Sequence, residues 1–142
     1  MTPTIDNREA YRHVPWGGSA PGVDENWYFL GENLAGAVYR LQIRPIQGDT
    51  AAPLVDLTNA IAGVDGLSSV WDAGFLDPET GATTGATIIT PFIGRTTLES
   101  IQTNADPSKP RVLYYDLWVT RSGGQTVLEC CGTFTLYPGV NI

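Results

Sequence analysis

The feature that most constrains the fold is a stretch of strict alternation between apolar and polar side chains, from Ala37 to Arg44. Alternate residues of a β-strand point to the same side, so Ala37, Tyr39, Leu41 and Ile43 share one face, opposite Val38, Arg40, Gln42 and Arg44. Pro45 ends the pattern, because proline cannot donate a ladder hydrogen bond. The alternation predicts a half-buried strand.

Further short β patterns follow the same logic. The strongest is a hairpin at the C-terminal side, with one strand over 112–120, a turn at 121–124 and a return strand over 125–137. Its turn contains Gly123-Gly124, which permits the positive φ angles of tight hairpins. Other strands are predicted at 27–30, 54–56, 69–71 and 87–90, with a turn at 77–81. Thr96 or Thr97 is the candidate cap of one short helix that ends before Asn104 and Pro107.

These elements predict an all-β fold, an immunoglobulin-like or jelly-roll-like β-sandwich with one short helix and an extended N-terminal arm. A chain of 142 residues is long enough for one such core. The arm, residues 1–25, is rich in Pro and Gly, with one turn predicted at 8–11, and the sandwich domain covers 26–142. Tyr11 and Trp16 are the predicted interface residues of the arm, since aromatic side chains in an irregular segment favour docking on the domain or on a neighbour.

Charge and hydropathy restrict the partners. Eight basic residues against fifteen acidic ones give a net charge of −7, which is unsuited to a nucleic-acid surface. No apolar run approaches the roughly 18 residues of a membrane helix. The N-terminus lacks the basic and apolar regions of a signal peptide, so synthesis in a cytoplasm is expected.

Catalytic and metal-binding patterns are weak. The single histidine, His13, lies in the arm, and no nucleophile or dinucleotide motif accompanies it. Adjacent Cys130 and Cys131 should point to opposite faces of a strand as reduced thiols, without a zinc site. We therefore expect no enzyme activity, no cofactor and no metal.

Acidic residues leave two weaker alternatives open. A hydrolase with paired carboxylates could draw on Asp24, Glu25, Asp77, Glu79 and Asp116. For Asp116 a structural ion pair with Arg40 or Arg44 is the preferred interpretation. A calcium site at Asp72, Asp77 and Glu79 lacks the spacing of a calcium-binding loop.

Carbohydrate binding is the main alternative function. Four Trp and six Tyr on a β scaffold could stack against sugars, with Trp71 and Trp118 as the candidates. The competing interpretation places these aromatics in the core or in subunit interfaces. An exposed aromatic groove would favour glycan binding, whereas burial would favour assembly.

The C-terminal hairpin resembles a module of tail-fibre, baseplate and adhesion-device proteins of tailed bacteriophages. Residues 115–120 resemble its "YDL.V" strand, and the segment from Gly132 to Val140 resembles its "G.F.L.PGV" strand. Residues 36–44 are similar to its "G..VR.QIR" strand, and residues 56–58 match its "DLT" element, although here that element follows the "QIR" strand instead of preceding it.

The resemblance implies a non-catalytic virion structural protein. Such modules close a small β-sandwich and commonly serve as tail or baseplate adaptors that anchor fibres, present as a symmetric ring or trimer; the same kind of sandwich also serves collars and head decoration. The implied partners are other virion proteins and copies of the chain itself, and a host-surface glycan is the alternative partner. The resemblance carries over no catalytic residue.

Overall fold

A computed structural model describes residues 3–17, 25–47, 50–103 and 105–138. Two β-sheets pack face to face around one core, with one short helix in the described part of the chain, which confirms the predicted all-β sandwich. The elements are β1 (Thr4–Ile5), β2 (Arg8–Tyr11), β3 (Trp16–Gly17), β4 (Trp27–Leu30), β5 (Val38–Arg44), β6 (Val55–Thr58), β7 (Gly66–Asp72), β8 (Ala86–Ile93), α1 (Arg95–Ser100), β9 (Arg111–Thr120) and β10 (Thr126–Tyr137).

The larger sheet has six strands and is built on the β9–β10 hairpin. Its order is β1-β10-β9-β5-β6, and β2 also pairs with β10. Strands β5, β6, β9 and β10 pair antiparallel, whereas β1 and β2 run parallel to β10. A bulge between Leu128 and Cys130 shifts the hairpin register. The predicted hairpin is therefore confirmed, and its return strand is the one that receives the N-terminal residues.

The smaller sheet is centred on β8, which pairs with β7 on one edge and with β4 and β3 on the other. Strand β8 contains Pro91 and continues beyond it, whereas the strand predicted at 87–90 stops just before this residue. Pairing with β4 stops at Ile89 and pairing with β3 starts at Phe92. Pro91 falls between these two partners, where its missing N–H breaks no ladder bond on that edge.

The core follows the predicted alternation. In β5, Tyr39, Leu41 and Ile43 are buried, and in β9, Leu113, Tyr115, Leu117 and Val119 are buried. Ile89 and Ile93 of β8 face them from the smaller sheet, within the same cluster of buried side chains. The two inner faces thus remove their apolar surface from water together, which is the main stabilising contribution in such a sandwich.

The described N-terminal residues are strands of the domain's own sheets. Residues 8–11, where a turn was predicted, form β2 instead, because their backbone pairs with residues 134–137 of β10. β3 then adds to the smaller sheet, so the segment crosses from one sheet to the other. The segment is extended, as predicted, and it lies along its own sandwich. Residues 18–24, with Gly18, Pro21, Gly22 and Asp24, are outside the described residues.

The helix begins differently from the prediction. Its N-cap is Gly94, and neither Thr96 nor Thr97 caps it. Asp65, in the loop between β6 and β7, instead accepts a hydrogen bond from the Gly94 N–H at 2.6 Å and another from the Thr97 hydroxyl. A carboxylate from a distant loop thus takes the capping role. Asn104, expected at the helix end, is outside the described residues.

Candidate functional site: an outer aromatic face and a tryptophan cleft

The outward side of the six-stranded sheet carries aromatic side chains in its middle. Tyr114 and Trp118 alternate with the buried residues of β9 and therefore point away from the core. Trp118 is half-buried and lies opposite Arg40 of β5 and Leu128 of β10 in the strand register. Trp118, one of the two predicted stacking residues, thus lies on the outward face of a sheet.

A second aromatic pair extends this surface to the sheet edge. Tyr11 of β2 stacks on Tyr137 of β10, with ring centroids 5.4 Å apart and an interplanar angle of 25°. Tyr11 remains 52% exposed. The negative charge of the Glu9 carboxylate raises the pKa of the Tyr137 hydroxyl. We call Tyr11, Tyr114, Trp118 and Tyr137 the outer aromatic face.

Asp116 lies within this surface, between Gln42 of β5 and Cys131 of β10 in the strand register. The predicted ion pair with Arg40 or Arg44 is wrong, because Arg40 binds Asp56 through bonds of 3.0 and 2.6 Å. Arg44 donates to Gln42 at 2.8 Å and to the Ala51 carbonyl, and only its more distant charge acts on Asp116. Burial raises the pKa of the Asp116 carboxyl. Among the described residues Asp116 has no ion-pair partner.

Trp71 belongs to a different surface, at one end of the sandwich where the two sheets part. Counting in steps of two from the buried Leu67 places Ser69 and Trp71 on the inner side of β7. There, Trp71 is 37% exposed at a cleft of about 480 Å³. We call this space the Trp71 cleft; its walls include Asn33, Ala37, Tyr39, Asn59, Ser69, Val70, Trp71 and Thr87. Trp71 is thus exposed in a groove, the arrangement that favours the glycan interpretation for this residue.

The position of Trp71 depends on a glycine. Gly85, with φ +68°, has no side chain, and a Cβ at this position would overlap the six-membered ring of Trp71. The indole is therefore packed against backbone on one side and open to the cleft on another. In the sequence, the even spacing of Trp71 from Leu67 was the signal that both side chains lie on the same side of the strand.

One wall of the cleft is the loop 31–37, which is fastened at several points. The Thr87 hydroxyl donates to the Glu32 carbonyl at 2.6 Å and accepts from the Leu34 N–H at 3.0 Å. The Glu32 side chain binds Arg121 through two hydrogen bonds, and the guanidinium lowers the pKa of the Glu32 carboxyl. Arg121 also reaches Glu129 at 2.6 Å. The wall is held before any ligand arrives.

Asn59, which was not among the predicted site residues, also lines the cleft. Its side chain accepts from the Tyr39 N–H at 2.6 Å and donates to the Ala37 carbonyl at 3.0 Å. The amide thereby continues the β5–β6 ladder beyond the end of β6, where the chain leaves for the smaller sheet. An Asn at a strand end is common in turns, so the sequence alone gave no specific signal.

Trp16, the other selected residue of the N-terminal segment, is not on a surface. It is 4% exposed and packs edge-on against Phe134, with ring centroids 4.9 Å apart. The ring of Trp16 is in the core of its own domain, so docking on the domain, one of the two predicted alternatives for the arm, describes this residue in the single chain. Of the two selected arm residues, the structure leaves Tyr11 available to a partner.

Three of the remaining ionisable candidates, His13, Asp72 and Asp77, have structural partners. His13 bonds Glu99 at 2.6 Å, and Arg95 reaches the same carboxylate at 3.3 Å. Asp72 and Asp77 accept backbone N–H groups of their own turns, at 3.0 and 2.8 Å. Within the described ranges, no three metal-ligating side chains come together, and no helix has the length and apolar character to cross a bilayer.

Both cysteines are free and buried. Cys130 faces the core, where its sulfur lies 3.3 Å from the Tyr115 hydroxyl, and Cys131 occupies the next position of the strand. Burial raises the pKa of the Cys130 thiol, which disfavours the reactive thiolate. The geometry fits reduced structural thiols.

Comparison of the chain with models of known protein families gives no match, and a search among curated proteins gives none either.

Proposed function

We propose that this chain is a non-catalytic structural subunit of a bacteriophage particle, a tail or baseplate adaptor that anchors a fibre. Its partners would be copies of itself and other virion proteins, and its place of work the assembled virion. A collar or head-decoration role is the alternative within the same class. The outer aromatic face is the surface through which we propose that copies meet.

Two lines of argument support the proposal. The sequence resemblance to phage tail and baseplate modules involves the β5 and β9–β10 segments, and the folded chain has the sandwich that the resemblance implies. Three of the ionisable side chains that could suggest catalysis, His13, Asp72 and Asp77, are instead engaged in an ion pair or in turns.

The outer aromatic face carries the proposal. Its aromatic rings share one side of the six-stranded sheet, together with the exposed Val38 and Val112. Aromatic residues are enriched at the centres of protein interfaces, where they give large contact area at low entropic cost. Asp116 adds an argument, because a partly buried carboxylate without an ion-pair partner would gain from a basic group supplied by a neighbour.

Light scattering on the purified protein tests the proposal. The wild type should form a defined oligomer, and Trp118→Arg should shift it to monomer because the new charge would be buried at the interface. Leu30→Arg is the matched control: it adds the same charge at an exposed leucine of the four-stranded sheet and should keep the oligomer. A monomeric wild type, or equal behaviour of the two variants, would contradict assembly through this face.

A further inference from the structure

We infer that the Trp71 cleft is a binding site for a neutral saccharide, separate from the outer aromatic face and from the assembly role proposed above. Four features of the cleft support this: an exposed indole, exposed polar groups with hydrogen-bonding capacity left, walls without charged side chains, and a loop 31–37 that is held in place.

The indole supplies the apolar contact. Sugar rings present C–H groups on one face, and a flat aromatic ring is the side chain that covers such a face with the largest area. Trp71 is held in place by its contact with Gly85, and part of the ring remains open to the cleft. The indole would therefore lose little conformational entropy when a ligand binds.

Polar groups of the cleft would orient a bound sugar through hydrogen bonds. The Ser69 hydroxyl has no hydrogen-bond partner among the described residues, and it shares the inner side of β7 with Trp71. Asn33 uses its carbonyl oxygen for the Ala35 N–H at 3.1 Å, which leaves its NH₂ group as a donor. A hydroxyl and an amide beside an aromatic ring match the alternating donors and acceptors of a polyhydroxylated ring.

The walls select against charged ligands. The residues that line the cleft include no Asp, Glu, Lys or Arg. Phosphate, sulfate and carboxylate groups are usually recognised by Arg or Lys, and Arg121 is already engaged with Glu32 and Glu129. A volume of about 480 Å³ falls within the size range of small-molecule sites, so a short stretch of a neutral glycan fits this space.

The cleft is also preformed. Thr87 and Arg121 hold the loop 31–37, and Asn59 binds the end of this loop and the start of β5, as described above. A site whose walls are already fixed loses less free energy to ordering on binding.

A glycan array that carries neutral, sialylated and sulfated oligosaccharides tests the inference, followed by titration of the strongest neutral glycan. The wild type should bind neutral glycans, and Trp71→Ala should weaken binding about tenfold or more. Ser69→Ala, which keeps the ring, should weaken it severalfold and serves if Trp71→Ala fails to fold. Tyr28→Ala is the matched control, since Tyr28 is an exposed aromatic, 40%, away from the cleft on the same sheet.

The inference is overturned if the wild type binds none of the neutral glycans, if it binds only the acidic ones, or if the Trp71 and Ser69 variants bind as tightly as the Tyr28 variant. Light scattering on the same variants keeps this test apart from the assembly proposal. A Trp71 variant that loses the glycan and remains oligomeric would separate the two surfaces, whereas loss of oligomerisation alone would bear only on assembly.

Discussion

The ring of Trp16 meets the ring of Phe134 edge-on, with an interplanar angle of 85°, in the space between the two sheets. Trp16 belongs to β3 of the smaller sheet and Phe134 to β10 of the larger one. The contact therefore joins the N-terminal segment to the far end of the chain and both sheets to each other. It makes residues 3–17 a structural part of the sandwich.

Replacement of Trp16 by Ala should lower the free energy of unfolding by about 3 to 5 kcal/mol, because it removes a large buried ring and leaves a cavity against Phe134. Tyr11→Ala is the matched control from the same segment. Tyr11 is half exposed, so its loss should cost much less. Urea unfolding followed by circular dichroism measures both. Similar values for the two variants would show that the segment does not contribute to the core.

Replacement of Gly132 by Ala should also destabilise the fold, by about 1 to 3 kcal/mol, since overpacking forces backbone shifts. A Cβ at Gly132 would overlap the carbonyl oxygen of Asp6, where the N-terminal segment passes from β1 to β2. Two hydrogen bonds hold this passage, from the Asp6 N–H to Cys131 and from the Thr133 N–H to Asn7.

Gly74→Ala provides the comparison for Gly132. Gly74 has no positive φ, and a Cβ there would meet only an Asp72 oxygen at 3.7 Å. The change should be neutral or slightly stabilising, because alanine reduces the freedom of the unfolded chain. Thermal unfolding of both variants measures the difference. A Gly132 variant as stable as the Gly74 variant would contradict the close approach.

Thr87→Val should cost about 1 to 3 kcal/mol, since it leaves the buried Leu34 N–H and the Glu32 carbonyl without their partner. Thr83→Val, at an exposed position, should stay within about 0.5 kcal/mol of the wild type. Chemical unfolding measures both changes. Because Thr87 holds the loop 31–37, the variant should also bind neutral glycan more weakly if the Trp71 cleft is the site. Equal stability of the two variants would show that the loop is fastened elsewhere.

Two carboxylates should affect the pH dependence of stability with opposite signs. Arg40 lowers the pKa of Asp56, so this pair stabilises the fold above 3.8, the ordinary value for Asp, and the contribution disappears as the pH falls through the lowered pKa. Burial raises the pKa of Asp116 above that value. Its ionised form therefore opposes folding above the raised pKa, and this penalty is gone once the pH falls below 3.8.

The corresponding variants test the signs directly. At neutral pH, and at a protein concentration at which the chain is monomeric, Asp56→Asn should lower the melting temperature and Asp116→Asn should raise it. Well below pH 3.8 both differences should vanish, because the wild-type carboxyls are then protonated. Melting curves at a series of pH values provide the measurement. A lower melting temperature for Asp116→Asn at neutral pH would show that Asp116 has a stabilising partner.

Local patterns predicted the parts of the fold that local patterns determine. The alternation in β5 and the β9–β10 hairpin were correct, since period, turn residues and short-range pairing lie within a few residues of one another. The parallel pairing of β2 with β10 could not be predicted, because it joins segments more than a hundred residues apart without a motif of its own. The same holds for Asp65, which caps a helix from another loop.

The candidate site was predicted in part. Trp71 and Trp118 were selected as aromatic residues on a β scaffold, and the structure separates them onto two surfaces. They are separated because Trp71 points to the inner side of its strand and Trp118 to the outer side. The predicted strand at 69–71 was too short to show which side Trp71 occupies. Asp116 was paired with the wrong arginines, because Asp56 on the neighbouring strand lies closer to Arg40.

The place of β10 in the sheet bears on how the chain folds during synthesis. It is last in chain order among the described strands, yet it lies between β9 on one side and β1 and β2 on the other. Until residue 137 has left the ribosome, β1 and β2 have no strand to pair with, and the inner faces of the sheets lack Phe134 and Leu136. Until β10 is made, the nascent chain therefore exposes apolar surface and unpaired strand edges, which are the features through which incomplete chains aggregate.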